Sequence, residues 1–288
     1  MLLQADFVKD WTAELRRIMT DDWAMDVSQV SETELPILFF HAGKRRIEPR
    51  PRVIKLSASF VCPSELESGW NALKAKIESG ANLAPHLSLG IERVMGKDPL
   101  LLDWGVYHLH LGESVHPTNG SFVDRTGPVV FGYPTKDVFH AIGIYQHGQW
   151  NDSSVIETLN SNWPELTGTA KLSGVLGVAQ NYTDDDRKKL RAAGVNVITA
   201  LSDGTFLASL GGGYSTNGVS ISGVRSSDQQ QDKMLRIQEQ VHNAAHEIEA
   251  ALIAEGYDGT HEVRARLNFA PGKCWVSFEG FKLKLEVE

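Results

Sequence analysis

Apolar residues in the first half of the chain recur first at the spacing of a helix and later at the alternating spacing of strands. Three- and four-residue steps predict an N-terminal helix over residues 7–19. A second helix is predicted to open at Pro63-Ser64 and to end at Gly80, because proline favours the first turn and glycine the position after the last. Strands are predicted at residues 35–40, 53–61, 105–111, 128–133 and 138–146.

Helical spacing dominates the second half of the chain. Thr183 is predicted to cap a short helix in which three acidic residues come first and basic residues last, as the helix dipole favours. The longest predicted helix covers residues 228–255, where an apolar stripe recurs at three- and four-residue steps. A hairpin over residues 195–210 and a closing hairpin over 261–287, which turns at Pro271-Gly272, complete the pattern.

These elements predict an α+β fold of mostly antiparallel sheets with helices packed on one face. A chain of 288 residues exceeds the usual size of a single domain, and a stretch rich in small residues follows Thr167. We therefore expect two sub-domains, an N-terminal α+β domain over residues 1–166 and a C-terminal α+β domain over 167–288. The apolar stripe of residues 228–255 has two interpretations, packing across its own sheet or self-association as a homo-oligomer.

Composition favours a soluble, cytoplasmic protein. No run approaches the roughly 18 apolar residues of a membrane helix, and the first residues lack the basic and apolar regions of a secretory signal. Cys62 and Cys274 are too few and too isolated to form a disulfide framework or a metal knuckle. The net charge of −8 argues against broad, non-specific nucleic-acid binding. The basic segment 44–55 is either a charged strand edge or a local phosphate-facing patch.

Half of the histidines lie within residues 104–150: His108, His110, His116, His140 and His147. Because successive side chains of a strand point to opposite faces, His108 and His110 are predicted to share one face, and their apolar neighbours the other. Two imidazoles held side by side can bind a metal or move protons near neutral pH. A metal site would need a third and usually a fourth ligand, so a metal-dependent enzyme that uses the His-x-His pair is one hypothesis.

As acid and base, the same histidines suit RNA cleavage in which the ribose 2′-hydroxyl is the nucleophile. That reaction needs one group to take the 2′ proton, a second to protonate the leaving 5′ oxygen and a cation to stabilise the phosphorane. It requires no metal and no other cofactor. The candidate catalytic residues are His108, His110, His147 and Arg125, and the candidate substrate-binding residues are Tyr107, Lys136 and Tyr145.

The segment PVVFGYPTKDVFHAIGIYQHGQW, residues 128–150, follows a helix and a strand in an order that resembles the RelE/ParE-type ribonuclease toxin core. In that family a late apolar strand, which follows an Asp after a turn, ends in His or Arg near the catalytic groove. Residues 137–147 fill that place here, and the likeness covers about residues 64–150. The resemblance implies metal-independent RNA cleavage.

The leading hypothesis is therefore a metal-independent endoribonuclease-like enzyme, a toxin or phage-defence effector with RNA as its substrate and an inhibitory protein as a further partner. One alternative is a non-enzymatic interaction or assembly protein that uses the long C-terminal helix. The other alternative is the metal-dependent enzyme.

Overall fold

Residues 2–180 and 182–287 are described by a computed structural model, which shows an α+β fold. The α-helices are α1 (Phe7–Arg17), α2 (Leu35–Lys44), α3 (Glu67–Ser79), α4 (Pro99–Trp104), α5 (Ser154–Asn162), α6 (Pro164–Thr167), α7 (Asp184–Ala192), α8 (Ile221–Asn243) and α9 (Ala245–Ala254). The strands are β1 (Leu3–Ala5), β2 (Val53–Leu56), β3 (Tyr107–His110), β4 (Pro128–Pro134), β5 (Val138–Gln146), β6 (Thr199–Ala200), β7 (Phe206–Leu207), β8 (Val263–Ala270), β9 (Lys273–Phe278) and β10 (Lys284–Val287). Within the described ranges, no helix combines the length and the apolar character that crossing a membrane requires.

The chain divides into two compact units, and this division does not follow the expected boundary at residue 166. The terminal unit joins both ends of the chain, Met1–Phe40 and Gly223–Glu288, whereas the central unit is the continuous segment His41–Ser222. The physical reason is a strand pairing that local spacing cannot reveal, because β1 pairs in parallel with β8 from the opposite end of the chain. The expected boundary therefore falls inside the central unit.

The terminal unit contains a four-stranded sheet in the order β1-β8-β9-β10. β8 and β9 form the predicted closing hairpin. The predicted second strand over residues 273–287 divides into β9 and β10, which are antiparallel neighbours, and β1 adds a parallel edge to the sheet. α1 packs on β8. There the Asp10 carboxylate accepts hydrogen bonds from the Arg266 guanidinium at 3.0 Å and from the Leu267 N–H at 2.9 Å. These bonds tie the first helix of the chain to one of its last strands.

The apolar stripe predicted over residues 228–255 is buried within the single chain. The predicted helix is interrupted at Ala244, which separates α8 from α9. The stripe residues that are at most 4% exposed are Met234, Ile237, Val241, Ile248 and Leu252. Because this stripe already serves the fold, the self-association hypothesis has to rest on exposed apolar residues such as Leu235 and Ile253.

The central unit is built on a second four-stranded sheet, in the order β2-β5-β4-β3. β3, β4 and β5 pair in antiparallel fashion, as predicted, and the β4–β5 hairpin turns at residues 135–137, within the expected connection of residues 133–137. β2 joins the sheet in parallel with β5, so the sheet is mixed rather than purely antiparallel.

Helices cover both faces of the central sheet, not the one face that we expected. On one face the apolar residues of α3 pack with Val130 and Phe139. On the other face residues of α4 and α5 pack with Val129 and Phe131. Because consecutive residues of β4 are apolar and point to opposite sides, each side needs a cover.

Several predicted strands differ from the structure. The prediction for residues 35–40 is wrong, because this continuous apolar run forms the beginning of α2; a short run without alternation cannot separate a buried strand from a buried helix. The strand over 53–61 shortens to β2, and the hairpin over 195–210 shortens to β6 and β7. In contrast, α3 ends at Gly80 as predicted, and this glycine adopts the left-handed conformation, with φ of 74°.

Gly69 explains how closely α3 approaches the histidine strand. A Cβ atom at this position would lie 2.1 Å from the carbonyl oxygen of Leu111, just beyond β3. Only glycine fits such a contact without moving the backbone. The close packing of α3 covers one face of β3, and His108 and His110 lie on its other face.

Candidate functional site

β3 presents its two histidines on one face of the central sheet, as the alternation predicts. Leu109 and Tyr107 belong to the apolar cluster under α3, on the opposite face. His108 and His110 are 9% and 3% exposed. The predicted division of the strand into an apolar and an imidazole face is therefore confirmed.

His147 joins the pair because β5 ends beside the start of β4. Its backbone N–H donates a hydrogen bond to the carbonyl oxygen of Gly127 at 2.7 Å. The His110 ring lies 5.6 Å from the ring of His147 and 6.2 Å from that of His108, measured between centroids. The Trp150 indole lies 4.5 Å from His108 and 4.8 Å from His147. Two of the three sequence-predicted histidines thus contact one indole, and the third, His110, lies beside both of them.

Asp98 orients the first histidine of the cluster. Its Oδ2 atom lies 3.3 Å from Nδ1 of His108, a close charge contact outside good hydrogen-bond geometry. Burial alone would raise the pKa of Asp98, but the charge of His108 and the hydrogen bond from the Leu101 N–H keep that pKa below its ordinary value. The same N–H bond, 3.1 Å long, makes Asp98 the N-cap of α4. A carboxylate fixed in this way leaves Nε2 of His108 as the nitrogen available to a ligand.

His110 is the most deeply buried member of the cluster. Burial lowers its pKa to about 3, and the positive charges of Arg125, His108 and His147 act in the same direction. The ring is therefore neutral at pH 7. Its backbone is held by His86, whose Nδ1–H donates to the His110 carbonyl oxygen at 2.7 Å.

Arg125 brings a cation to the same place. Its Nη1 donates to the Leu87 carbonyl oxygen at 2.8 Å, and its guanidinium lies 5.0 Å from the centre of the Phe122 ring. Its Nη2 atom is buried without a hydrogen-bond partner. The charge of Arg125 lowers the pKa of His110 and, after burial and His108, that of His147. The predicted cation is thus electrostatically coupled to the predicted acid and base.

A cleft with two adjoining lobes runs along this cluster. The outer lobe has a volume of about 430 Å³, and its lining includes His110, Arg125 and His147. The inner lobe has a volume of about 200 Å³, and its lining includes His108, Asp98, Arg45, Tyr107 and Trp150. His147 and Ser88 line both lobes. The two lobes therefore adjoin at these residues, and their combined lining includes all three histidines.

Hydrogen-bond donors without partners converge on this cleft. In the described part of the chain, three buried nitrogen atoms without a hydrogen-bond partner belong to side chains that line its two lobes, Arg45 Nε, His110 Nδ1 and Arg125 Nη2, whereas His108 Nδ1 faces the Asp98 carboxylate. Buried polar groups without partners are rare, because each costs roughly 1–3 kcal/mol. A cluster of donors and positive charge is the arrangement that an anionic ligand with several oxygen atoms satisfies.

A buried ionic network between α4 and α7 supports the Trp150 side of the cleft. Asp103 of α4 accepts from Arg191 Nε at 2.9 Å and from Arg187 Nη1 at 3.3 Å, both from α7. The Arg191 guanidinium stacks 4.0 Å from the Trp104 ring, and its Nη1 donates to the backbone carbonyl of Trp150. The indole of the cluster is therefore anchored through its own backbone.

The remaining predicted site residues, Lys136, Tyr145 and Tyr107, are not members of the histidine cluster. Lys136 lies on the exposed β4–β5 turn, seven residues beyond Val129, the residue of β4 that pairs with His110. At about 3.3 Å per residue along the strand, Lys136 is therefore roughly 23 Å from His110. Tyr145 stacks on Phe131 at 4.6 Å and lines neither lobe. Tyr107 lines the inner lobe, but its hydroxyl already donates to the Lys44 carbonyl oxygen at 2.6 Å.

Sequence reasoning did not find several groups that shape the cleft, above all Asp98, Arg45 and His86. The Asp98-Pro99 pair was identifiable as a turn, although nothing in the spacing linked it to His108. Arg45 is 3% exposed and donates to three backbone carbonyl groups in residues 90–94. Burial is the main reason why its pKa is lowered to about 10. The basic segment 44–55 is therefore in part an internal scaffold.

Two of the five histidines of residues 104–150 lie outside the cleft. His140 is buried against Trp163 at 4.9 Å, and its Nδ1 contacts the Tyr133 carbonyl oxygen at 3.1 Å. His116 lies in the loop after β3, where its Nδ1 accepts from the Thr118 N–H at 3.3 Å. Both rings have local structural partners.

A larger cleft, of about 820 Å³, lies in the terminal unit between α1, α8 and the β8–β9 turn. Trp11, Met234 and Phe269 form part of its wall, and the charged residues at its rim have both signs. None of the described residues that line it is a histidine. It therefore offers no arrangement of acid and base comparable with that of the central unit.

No group of three or more His, Cys, Asp or Glu side chains with the arrangement of a metal site occurs in residues 2–180 and 182–287. No known family model matches this chain, and comparisons with curated proteins and with solved structures find no significant match. The resemblance to the RelE/ParE-type core therefore stays a prediction.

Proposed function

We propose that this protein is a metal-independent endoribonuclease that cleaves RNA through attack of the ribose 2′-hydroxyl. The observation that carries the proposal is the convergence of three imidazoles, one arginine and several unpartnered donors on one cleft. This is the set of groups that an in-line transphosphorylation needs, since it transfers two protons and develops charge on phosphate oxygens. The RelE/ParE-type resemblance points to the same chemistry.

In the proposed reaction His108 takes the proton of the 2′-hydroxyl on Nε2, and the 2′ oxygen forms a bond to phosphorus. The bond from phosphorus to the 5′ oxygen breaks, and the leaving 5′ oxygen takes a proton from His147. The products are a 2′,3′-cyclic phosphate and a 5′-hydroxyl. We assign the base to His108 because the Asp98 carboxylate stabilises the imidazolium that forms. His147 is exposed and can exchange its proton with solvent.

His110 and Arg125 act on the phosphate in this proposal. A neutral His110 cannot supply positive charge, but it can donate one hydrogen bond to a non-bridging oxygen. Arg125 supplies the charge through Nη2, which has no partner within the chain. A phosphate placed between them raises the pKa values of His110 and His147, because it opposes the effects of burial and of Arg125 that lower them. Substrate binding therefore favours the protonated His147 that the second step uses.

The test is incubation of the full chain with end-labelled single-stranded RNA in the presence of a chelator. We expect cleavage that leaves 2′,3′-cyclic phosphate ends, and a loss of roughly 10²-fold or more in rate for each of His108→Ala and His147→Ala. The matched control is His246→Ala, an exposed histidine on α9 that should leave the rate unchanged. Intact RNA with the wild-type chain, or equal rates in all variants, would refute the proposal and favour the interaction-protein hypothesis.

Asp98→Asn tests the positioning role separately. The amide keeps the volume and the N-cap acceptor but removes the charge beside His108. We expect a fall of about 10²-fold in kcat with KM nearly unchanged, because Asp98 acts through His108 and not on the bound RNA. An increase in KM alone would show that Asp98 has no such role.

With this activity, the protein is best understood as a toxin or phage-defence effector that works in the cytoplasm. An RNA-cleaving protein endangers the cell that makes it, so the proposal includes an inhibitory protein partner. Growth arrest on induction of the wild-type chain, absent with His147→Ala, is the outcome that this role requires.

A further inference from the structure

The inner lobe of the cleft differs from the outer lobe in size and in chemistry. The outer lobe contains His110, Arg125 and the backbone of residues 126–127, and it is the larger of the two. Apolar or aromatic side chains form much of the wall of the inner lobe, including Leu87, Ile91 and Trp150. The Trp150 indole lines only the inner lobe and the Arg125 guanidinium only the outer lobe, so an aromatic ring and a phosphate group suit different lobes.

Volume limits what the inner lobe can hold. Its 200 Å³ lies below the range of about 300–1,000 Å³ that is usual for sites of drug-sized ligands. It corresponds to roughly seven water molecules, at about 30 Å³ each. This space accepts one planar ring system, but not two stacked ones.

The aromatic wall is firmly supported. Trp150 is backed by Phe131, with the two rings inclined by 25° and 5.6 Å apart, and its carbonyl oxygen is held by Arg191. Its side chain is nevertheless half-buried and not fully covered. A rigid, partly open indole beside a narrow space is the arrangement on which a planar base stacks.

Polar groups at the depth of the lobe can read the edge of such a ring. Arg45, which is 3% exposed, has its Nε atom unpartnered, and Asp98 is 16% exposed on its side chain. One provides a donor and the other an acceptor beside the same apolar walls. A purely apolar ring would leave the donor of Arg45 unsatisfied, whereas a nucleobase carries both donors and acceptors on its edge.

We propose that the inner lobe binds a single unpaired nucleobase, stacked on Trp150, while the outer lobe binds the adjoining phosphate. This inference rests on the proposed ribonuclease function and specifies its substrate class as single-stranded RNA, cut next to a base that has left the stack. A base within a duplex is stacked and paired on both sides, so it cannot enter a space for one ring without being extruded.

The first test measures binding to the catalytically impaired His147→Ala chain by titration calorimetry. The probes are the four nucleoside 3′-monophosphates, ribose 3-phosphate and inorganic phosphate. We expect at least one nucleotide to bind ten times more tightly than ribose 3-phosphate or inorganic phosphate. Adding Trp150→Ala should remove this preference, and adding Trp150→Phe should largely restore it. If the nucleotides bind no more tightly than inorganic phosphate, the base-binding role of the inner lobe is overturned.

The second test compares cleavage of one RNA sequence as a single strand and as part of a duplex. We expect the wild-type chain to cut the duplex at least tenfold more slowly. Gly90→Leu, which adds a side chain to the wall of the inner lobe where a new Cβ meets only Ser88 Oγ at 3.3 Å, should slow cleavage of the single strand. Equal rates on both forms of RNA would overturn the inference and leave the ribonuclease proposal standing. Selective nucleotide binding without any RNA cleavage would support base binding in the inner lobe and refute the ribonuclease proposal.

Discussion

Replacing Asp103 by asparagine should destabilise the central unit strongly. Among residues 2–180 and 182–287, Asp103 is the one carboxylate that pairs with the buried side chains of Arg187 and Arg191. The side chains of Asp103, Arg187 and Arg191 are 3%, 5% and 2% exposed. Burial lowers the pKa of Arg191, and Asp103 opposes this effect by its charge and its hydrogen bond. The isosteric amide keeps the packing, so the measured change reports the charge.

The expected magnitude follows from this burial. Leaving a buried charge without its partner costs about 3–5 kcal/mol, whereas an exposed ion pair contributes about 0–1 kcal/mol. With a urea dependence of about 2.5 kcal/mol per M, a loss of this size lowers the unfolding midpoint by roughly 1–2 M. The weaker anchoring of Arg191 should also release the Trp150 backbone and change the near-ultraviolet circular dichroism.

The assay is urea unfolding of the full chain, followed by tryptophan fluorescence. The matched control is Glu48→Gln in the same unit, where the Glu48 side chain is 69% exposed and lies 3.8 Å from Arg50. The control should change the free energy of unfolding by less than about 1 kcal/mol. If Asp103→Asn costs no more than Glu48→Gln, the buried network does not stabilise the fold and the reasoning is refuted.

Three further predictions concern histidine burial, glycine conformation and helix capping. Burial lowers the pKa of His41 to about 4, so below pH 6.5 the unfolded chain binds a proton that the folded chain does not. Stability should therefore fall between pH 6.5 and 4 by up to about 1.4 kcal/mol per pH unit, and urea midpoints of His41→Gln should depend less steeply on pH. Gly80→Ala should lower the free energy of unfolding by roughly 2 kcal/mol or more, because φ is 74° and the new Cβ would lie 2.4 Å from the Pro51 nitrogen. Gly194→Ala, with φ of 69° but open space around the new Cβ, should lower it by about 1 kcal/mol. Equal melting temperatures of the two variants would contradict this. Thr183→Ala should cost about 1 kcal/mol by removing the capping box of α7, and an unchanged midpoint of urea unfolding would show that the cap is dispensable.

Elements defined by neighbouring residues were predictable. The capping box at Thr183 and the left-handed end of α3 at Gly80 follow from the chemistry of one turn. The β4–β5 hairpin has the predicted bounds within one residue, because alternation and turn residues act locally. For the same reason the alternation of β3 was sufficient to predict that His108 and His110 share a face.

Elements that depend on distant partners were not predictable. Residues 35–40 form a helix although their apolar run suits a buried strand equally well. β1 pairs in parallel with β8, and β2 with β5, but no local sequence pattern of these strands identifies its partner. Asp98 is an ordinary turn residue until the fold places it against His108.

By itself, the sequence determined the class of the fold, its local helix ends and turns, and the two histidines on one side of a strand, since these depend on backbone preferences and on side-chain alternation over a few residues. The tertiary structure decided which charges meet. It brought His147, Arg125 and Trp150 to the histidine pair, placed Lys136 at the far end of the sheet, and divided the chain into units through its two ends. Contacts of this kind are set by the packing of whole helices and sheets, because burial and strand pairing stabilise contacts between residues however far apart they are along the chain.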